Sequence, residues 1–151
     1  MLELAKSADR ETVNALAEQV HRLHVGWRPD LFRMPEQMYP EERFREAIVK
    51  KEIFCAWQDG QIVGYMRACV TEYDYPSVVS RREYMIEELC VREDCRGQGI
   101  GTQIMWEAAA LAKAFGCTCL RLGAYAENEE GLAFYRKMGF RLRTVNLEMN
   151  L

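Results

Sequence analysis

Tyr84-Met85-Ile86-Glu87-Glu88-Leu89-Cys90-Val91-Arg92, then Glu93-Asp94-Cys95, then Arg96-Gly97-Gln98-Gly99-Ile100-Gly101-Thr102 is the stretch on which the reading of this chain turns. The first nine residues read as a strand, the next three as a turn, and the last seven as a glycine-rich opening to a helix. Glycines there let a ligand approach the backbone with no Cβ in the way. Several N–H groups then converge at a helix N-terminus that carries roughly +0.5 of a charge, a ready seat for phosphate. A nucleotide P-loop needs a lysine after its glycines, and Thr102 follows Gly101 directly. A dinucleotide fingerprint needs a third glycine where Thr102 stands, and it belongs near the start of a chain. What remains is R-x-x-G-x-G, as Arg96, Gly99 and Gly101.

Downstream, Gly99–Phe115 carries Ile104, Ala108, Leu111 and Phe115 at core spacing, with Gly116 as a left-handed stop. Thr118–Gly123 reads as a strand. Asn128–Met138 reads as a helix with Asn128 as N-cap, Glu129 and Glu130 in its first turn and Gly139 at its end. The tail, Phe140–Glu148, reads as a last strand. Upstream, Ile53–Gln58, Asp59-Gly60 and Gln61–Thr71 form a hairpin, because the favoured tight turn needs positive φ at both central residues. Glu72–Arg82 reads as a loop. Met1–Leu4 is a short strand, Ser7 caps a helix reaching about Val25, Gly26–Pro40 is a loop with three prolines, and Glu41–Lys51 is a second helix. This order predicts one α/β domain over residues 1–151, with three layers around a mixed sheet.

The loop Arg96–Gly101 resembles the pyrophosphate loop of the GNAT superfamily, the acetyl-CoA-dependent N-acetyltransferases. Asn128 and then Ala133-Phe134-Tyr135-Arg136-Lys137-Met138-Gly139-Phe140 resemble the family's second signature, in the expected order. The resemblance implies a mostly antiparallel central sheet splayed between strands 84–92 and 118–123, with the pantetheine arm of acetyl-CoA in the gap. It implies that Leu89, Cys90 and Val91 offer backbone groups to that arm. Arg96, Gly97, Gln98, Gly99, Ile100, Gly101 and Thr102 then hold the pyrophosphate, Asn128 lies beside the pantetheine, and Tyr135 sits near the thioester sulfur. A homodimer is a further implication of the family.

An alkyl ammonium near pKa ~10.4 is neutral in only about one part in two thousand at pH 7, so an amine acceptor must lose a proton. The departing thiolate must gain one, and the Tyr135 phenol, near pKa ~10, is protonated and able to supply it. Glu87 and Glu88 are the base candidates. Strict strand alternation sends them to opposite faces, so only one enters the cleft; Glu87 is preferred, after the carboxylate of polyamine-type family members, with Glu88 in reserve. Acceptor choice is expected from the first half and the loop after the hairpin, through Trp27, Phe32, Tyr39, Tyr73 and Asp74. Aromatics beside carboxylates suit a cationic amine. The acceptor is then a small primary amine, or alternatively a peptide or protein amine. His21 and His24 border the same region.

The chain has 151 residues, 49% hydrophobic and 28% charged, the composition of one folded domain. Its net charge of −3 disfavours a nucleic-acid partner. No apolar stretch suits a membrane span, and no secretory leader is read at the start. The six cysteines read as reduced and mostly buried, consistent with a cytoplasmic protein, and Cys117 with Cys119 lacks the partners a metal site needs, so no metal is expected. Two other readings compete with the enzyme: a non-catalytic acyl-CoA sensor, which needs neither Tyr135 nor Glu87, and a nucleotide-binding module.

Overall fold

The computed structural model describes residues 1–151. The chain runs β1 (Leu2–Leu4), α1 (Arg10–Trp27), α2 (Glu41–Val49), β2 (Ile53–Gln58), β3 (Gln61–Tyr73), β4 (Arg81–Val91), α3 (Ile100–Ala114), β5 (Cys119–Leu122) and α4 (Glu129–Lys137). The five strands lie in sequence order, every neighbouring pair antiparallel except the parallel pair β4–β5. The three-layer mixed sheet expected from the sequence is therefore present.

Two apolar clusters flank the sheet. On one face Val13, Leu16 and Ala17 of α1 and Phe44 and Ala47 of α2 pack on Ile53, Cys55, Tyr65 and Cys90. On the other, Ile100, Ile104, Met105, Ala108 and Ala112 of α3 pack on Phe54, Val63, Met66, Tyr84 and Ile86, with Phe134 of α4 and Met138 at its C-cap beside them. At the hairpin turn Asp59 and Gly60 take φ of 51° and 74°, the doubly positive pair that their sequence demanded. No helix is long and apolar enough to cross a membrane.

Four boundaries differ from the sequence reading. Ser7 does not cap α1; residues Ser7–Asp9 form a single 3-10 turn, closed by the Asp9 carboxylate accepting from the Lys6 N–H at 2.7 Å. α1 continues through Gly26 to Trp27, since one glycine near a helix end weakens the helix without stopping it. The loop expected over Glu72–Arg82 shrinks, because β3 and β4 stay paired out to Tyr73↔Arg81. The tail is not a strand: no backbone hydrogen bond involves residues 141–151, and Leu142, Val145, Leu147 and Met149 are exposed. Alternation makes a strand only where a ladder partner lies alongside. This tail is instead pinned by two ion pairs, Arg143 to Glu83 at 2.7 Å and Glu148 to Arg28 at 2.5 Å.

Candidate active site

The site grows from an irregularity in β4. Arg67 of β3 pairs with Glu88 and the next residue, Ala68, pairs with Ile86, so Glu87 is an extra residue with no partner, a β-bulge. A strand alternates faces every residue, and one extra residue reverses the alternation beyond it. Before the bulge Tyr84 and Ile86 lie on the α3 face; after it Leu89 and Val91 do, while Cys90 joins the α1 face. Glu88 is thereby turned toward α1 and α2. The expectation that only one glutamate enters the cleft is corrected on this ground: both Glu87 and Glu88 line one cavity of about 280 Å³.

That cavity opens where the sheet comes apart. The β4–β5 pairing ends at Ile86↔Leu122, so residues 87–91 have no partner on that edge. Leu89 and Ile86 form one wall and Leu122, Gly123, Ala124 and Tyr125 the other. Val20, His21 and His24 of α1 close one side, and Asn128 and Tyr135 the other. The splay expected from the sequence is thus present, and its gap leads to Tyr135. Asn128 acts as the N-cap of α4, accepting from the Gly131 N–H at 3.0 Å. The Tyr135 ring packs between Phe134 and Phe140, at 5.4 and 5.8 Å between ring centres. Burial pushes its phenol up from the ordinary value, which keeps the proton in place.

At the far end of β4 the chain makes a 3-10 turn over Glu93–Cys95 and enters α3. Gly97 and Gly99 take φ of 75° and 84°, a backbone that only glycine adopts freely. The N–H groups of Gly97, Gln98, Gly99, Ile100, Gly101 and Thr102 have no backbone acceptor, and residues 96–99 are exposed. Gly101 sits against the Phe134 ring, where a Cβ would lie 3.4 Å from its edge. Six unspent amides at the start of a fifteen-residue helix fit a diphosphate.

Gln19 of α1 ties this loop to the other side of the cleft. Its amide nitrogen donates to the Val91 carbonyl at 3.0 Å, and its oxygen accepts from the Glu93 N–H at 3.0 Å. The sequence reading missed Gln19, as nothing in its surroundings marks it. It also missed Tyr125, whose only signal is its place just beyond β5.

The carboxylates differ in company. Glu88 Oε2 accepts from Tyr39 Oη at 2.6 Å and Tyr65 Oη at 2.7 Å, and Oε1 lies 3.8 Å from Arg67 and 4.0 Å from Arg43. Burial and then the Glu88 charge raise both phenols, so each stays a donor. Glu87 pairs with Arg67 Nε at 3.2 Å, and Arg67 also holds Glu52 at 3.1 Å. The Cys90 thiol is buried and pushed up to about 12 by burial, which leaves no thiolate to act as a nucleophile.

Of the residues expected to bind the acceptor, Phe32 packs on His21, His24 and Tyr125, and Trp27 on His24, at the rim. Tyr39 is fully buried and reaches the site only through its hydroxyl on Glu88. Tyr73 and Asp74 are not brought to the cavity. Tyr73 accepts from Arg121 at 2.7 Å and stacks under Arg81 at the start of β4, and Asp74 accepts from Ser80. All six cysteines are free, and no group of three or more His, Cys, Asp or Glu side chains could hold a metal ion.

Comparison with known proteins gives a match to the model of the acetyltransferase (GNAT) family over residues 18–140. An uncharacterised N-acetyltransferase of Methanocaldococcus jannaschii is 34% identical over 88 residues, which are 58% of this chain and 38% of that protein. The glucosamine 6-phosphate N-acetyltransferase of Trypanosoma brucei brucei is 27% identical over 130 residues, 85% of this chain and 83% of that one. The chain thus spans under half the length of the archaeal relative and most of the trypanosomal one. Among solved structures, the tetramutant of a Bacillus halodurans protein superposes with a TM-score of 0.95 at 28% identity, over 100% of this chain and 99% of that one.

Proposed function

The chain belongs to the GNAT acetyltransferase family, and from that premise we propose that it transfers an acetyl group from acetyl-CoA to a small cationic primary amine by direct attack. One observation carries the reading. Six free amides at the start of α3 lie at one end of the β4–β5 gap, and Tyr135 lies in the cavity into which that gap opens. The donor set fits a diphosphate followed by a thioester arm, and acetyl-CoA supplies the acyl group in activated form.

The protein groups divide the work. Amides 97–102, with Arg96 at the mouth, neutralise the diphosphate. The free edge of Leu89–Val91 offers backbone groups to an extended arm, as one more strand would take them. Asn128 closes the same wall. Tyr135 donates its proton to the departing thiolate, a role its buried phenol suits.

Charge in the cavity supports an amine acceptor. Its ionisable lining includes two carboxylates, Glu87 and Glu88, and the adjacent Arg67 is already spent on Glu52, Glu87 and Glu88. No free cation is left to receive a phosphate or carboxylate on the acceptor. Relatives named for glucosamine 6-phosphate and thialysine are amine acetyltransferases of the trypanosome and of Bos taurus. With carboxylates and no unspent guanidinium or ammonium in the lining, the cavity favours an acceptor with a second positive charge over a phosphorylated one. The carboxylates then draw the ammonium by charge, while Glu88 Oε2 stays on two phenols and Glu87 Oε2 on Arg67. A sensor that only binds the cofactor has no use for Tyr135 or for a carboxylate-lined acceptor cavity.

Thermal denaturation with acetyl-CoA, followed by thiol release across a panel of diamines, amino sugars, amino acids and peptides, tests the proposal. Acetyl-CoA raises Tm, because a ligand of the folded state alone stabilises it. Diamines then release thiol fastest. Binding without turnover on any amine favours the sensor, a response to peptides alone favours a protein acceptor, and competition by ATP favours a nucleotide module.

A further inference from the structure

We infer that the imidazole of His24, not a glutamate, takes the proton that the acceptor amine must lose; this rests on the acetyl-transfer reading above. The argument is one of vacancy. The cavity has four groups that could accept a proton at neutral pH: His21, His24, Glu87 and Glu88. His21 is engaged at one of its two nitrogens, Nε2 donating to the Arg33 carbonyl at 2.9 Å, which orients the ring by that bond and leaves Nδ1 alone as acceptor. Glu88 receives two phenols on one oxygen and faces two guanidinium groups with the other. Glu87 lies against Arg67. Neither ring nitrogen of His24 makes a hydrogen bond within the protein, and the ring is half-buried in the cavity wall.

The imidazole is also held. Trp27 of its own helix, Phe32 of the following loop and Tyr125 beyond β5 pack on it, each with ring centres 5.5 Å away. A ring fixed by apolar neighbours and free at its nitrogens is oriented without being consumed. Burial, and then the charge of His21 three residues earlier on α1, lower its pKa, and Glu88 across the cavity opposes them. The other ionisable groups on the cavity wall are Tyr65 of β3, Glu87 of β4, Tyr125 beyond β5 and Tyr135 of α4. The net lowering keeps His24 in its proton-accepting form at neutral pH.

The proton account balances. The ammonium, held by Glu87 and Glu88, gives one proton to His24, which passes it to solvent. The freed lone pair attacks the thioester carbonyl; the C–N bond forms and the C–S bond breaks. The thiolate takes the Tyr135 proton, and the second proton lost from the new amide nitrogen restores that phenol.

The test is the pH dependence of kcat/KM for wild type, His24→Gln, His21→Gln, Glu87→Gln and Glu88→Gln. In the wild type kcat/KM should fall through an acid limb below about 6.5. His24→Gln should lose roughly 10²–10⁴-fold in kcat/KM, and the limb with it. Its acetyl-CoA thermal stabilisation should be retained. His21→Gln should move the limb to higher pH, because it removes a neighbouring charge. The glutamate variants should raise the acceptor KM and keep the limb. A limb that survives in His24→Gln, or vanishes in a glutamate variant alone, overturns the inference. Should His24→Gln fail to fold, His21→Gln still decides, because the chain has only two histidines and that variant keeps His24 alone. Its one imidazole must titrate by proton NMR at that variant's kinetic pKa, and the absence of such a titration overturns the inference equally. A wild type that acetylates no amine overturns the parent reading, and this inference with it.

Discussion

Replacing Gly64 by alanine tests how closely the gap between β4 and β5, proposed to take the cofactor, depends on the strand behind it. Gly64 of β3 pairs with Val91 of β4. A Cβ there would stand 2.5 Å from the Cys90 carbonyl oxygen, 3.3 Å from Ile104 Cδ1 and 3.4 Å from Val91 Cα. The oxygen is backbone and cannot rotate away, so β4 must retreat by at least ~0.5 Å toward its open edge. Overpacking of this kind costs about 1–3 kcal/mol. For a chain of this length that is a fall in Tm of roughly 2–12 °C. The displaced residues, Cys90 and Val91, border the gap proposed for the thioester arm. Misplacement by ~1 Å can cost about 10²-fold, so half that shift predicts a loss near tenfold in kcat/KM for acetyl-CoA. Differential scanning fluorimetry and a thiol-release assay read the two effects. A Gly64→Ala protein with unchanged Tm and unchanged kinetics would refute the packing argument and the placement of the gap together.

Three further outcomes follow from other parts of the molecule. Gly26→Ala, where nothing lies within 4 Å of the added methyl and the backbone is helical, should stabilise by roughly 0.5–1 kcal/mol, seen as a Tm rise of about 1–4 °C. Tyr135→Phe should lower kcat by about 10²–10⁴ with little change in acetyl-CoA affinity by calorimetry; unchanged turnover would remove the phenol from the mechanism. Glu83 is 1% exposed and bridges Arg81 and Arg143, each at 2.7 Å. Burial alone would raise its carboxyl, but the hydrogen bonds from Arg81 and Arg143 leave it below the ordinary carboxylate value. A depressed folded pKa means that its contribution is present above the unfolded glutamate value of ~4.3 and is lost as pH falls through the lower folded value. Glu83→Gln should therefore lower Tm at pH 7, and the gap to wild type should close in acid. A gap that is constant with pH would show that the carboxylate charge is not what matters.

Much of this fold is legible along the chain because the signals are local. Asp59-Gly60 fixes its hairpin within two residues, and Asn128 with Gly139 bounds α4 by backbone chemistry alone. The glycine-rich opening of α3 is legible for the same reason, with Gly97 and Gly99 at positive φ. The pairing of Glu87 with Glu88 in one cavity is not, since a parity argument assumes an unbroken strand and the bulge depends on how β3 and β4 meet. The tail fails for a related reason: its alternation is real, but pairing needs a neighbour that sequence pattern does not supply. Tyr73 and Asp74 have the right chemistry for an acceptor site. The continued β3–β4 pairing carries them to the opposite end of the sheet.

The amide of Gln19 joins a helix that borders the cavity to the loop proposed to seat the cofactor. Two ligands that settle the same fastener are coupled, and by reciprocity each must favour the other's arrival equally. Because a carboxamide neither titrates nor carries a formal charge, that mutual reinforcement should survive changes in acidity and salt that would alter every ionic contact in the cleft.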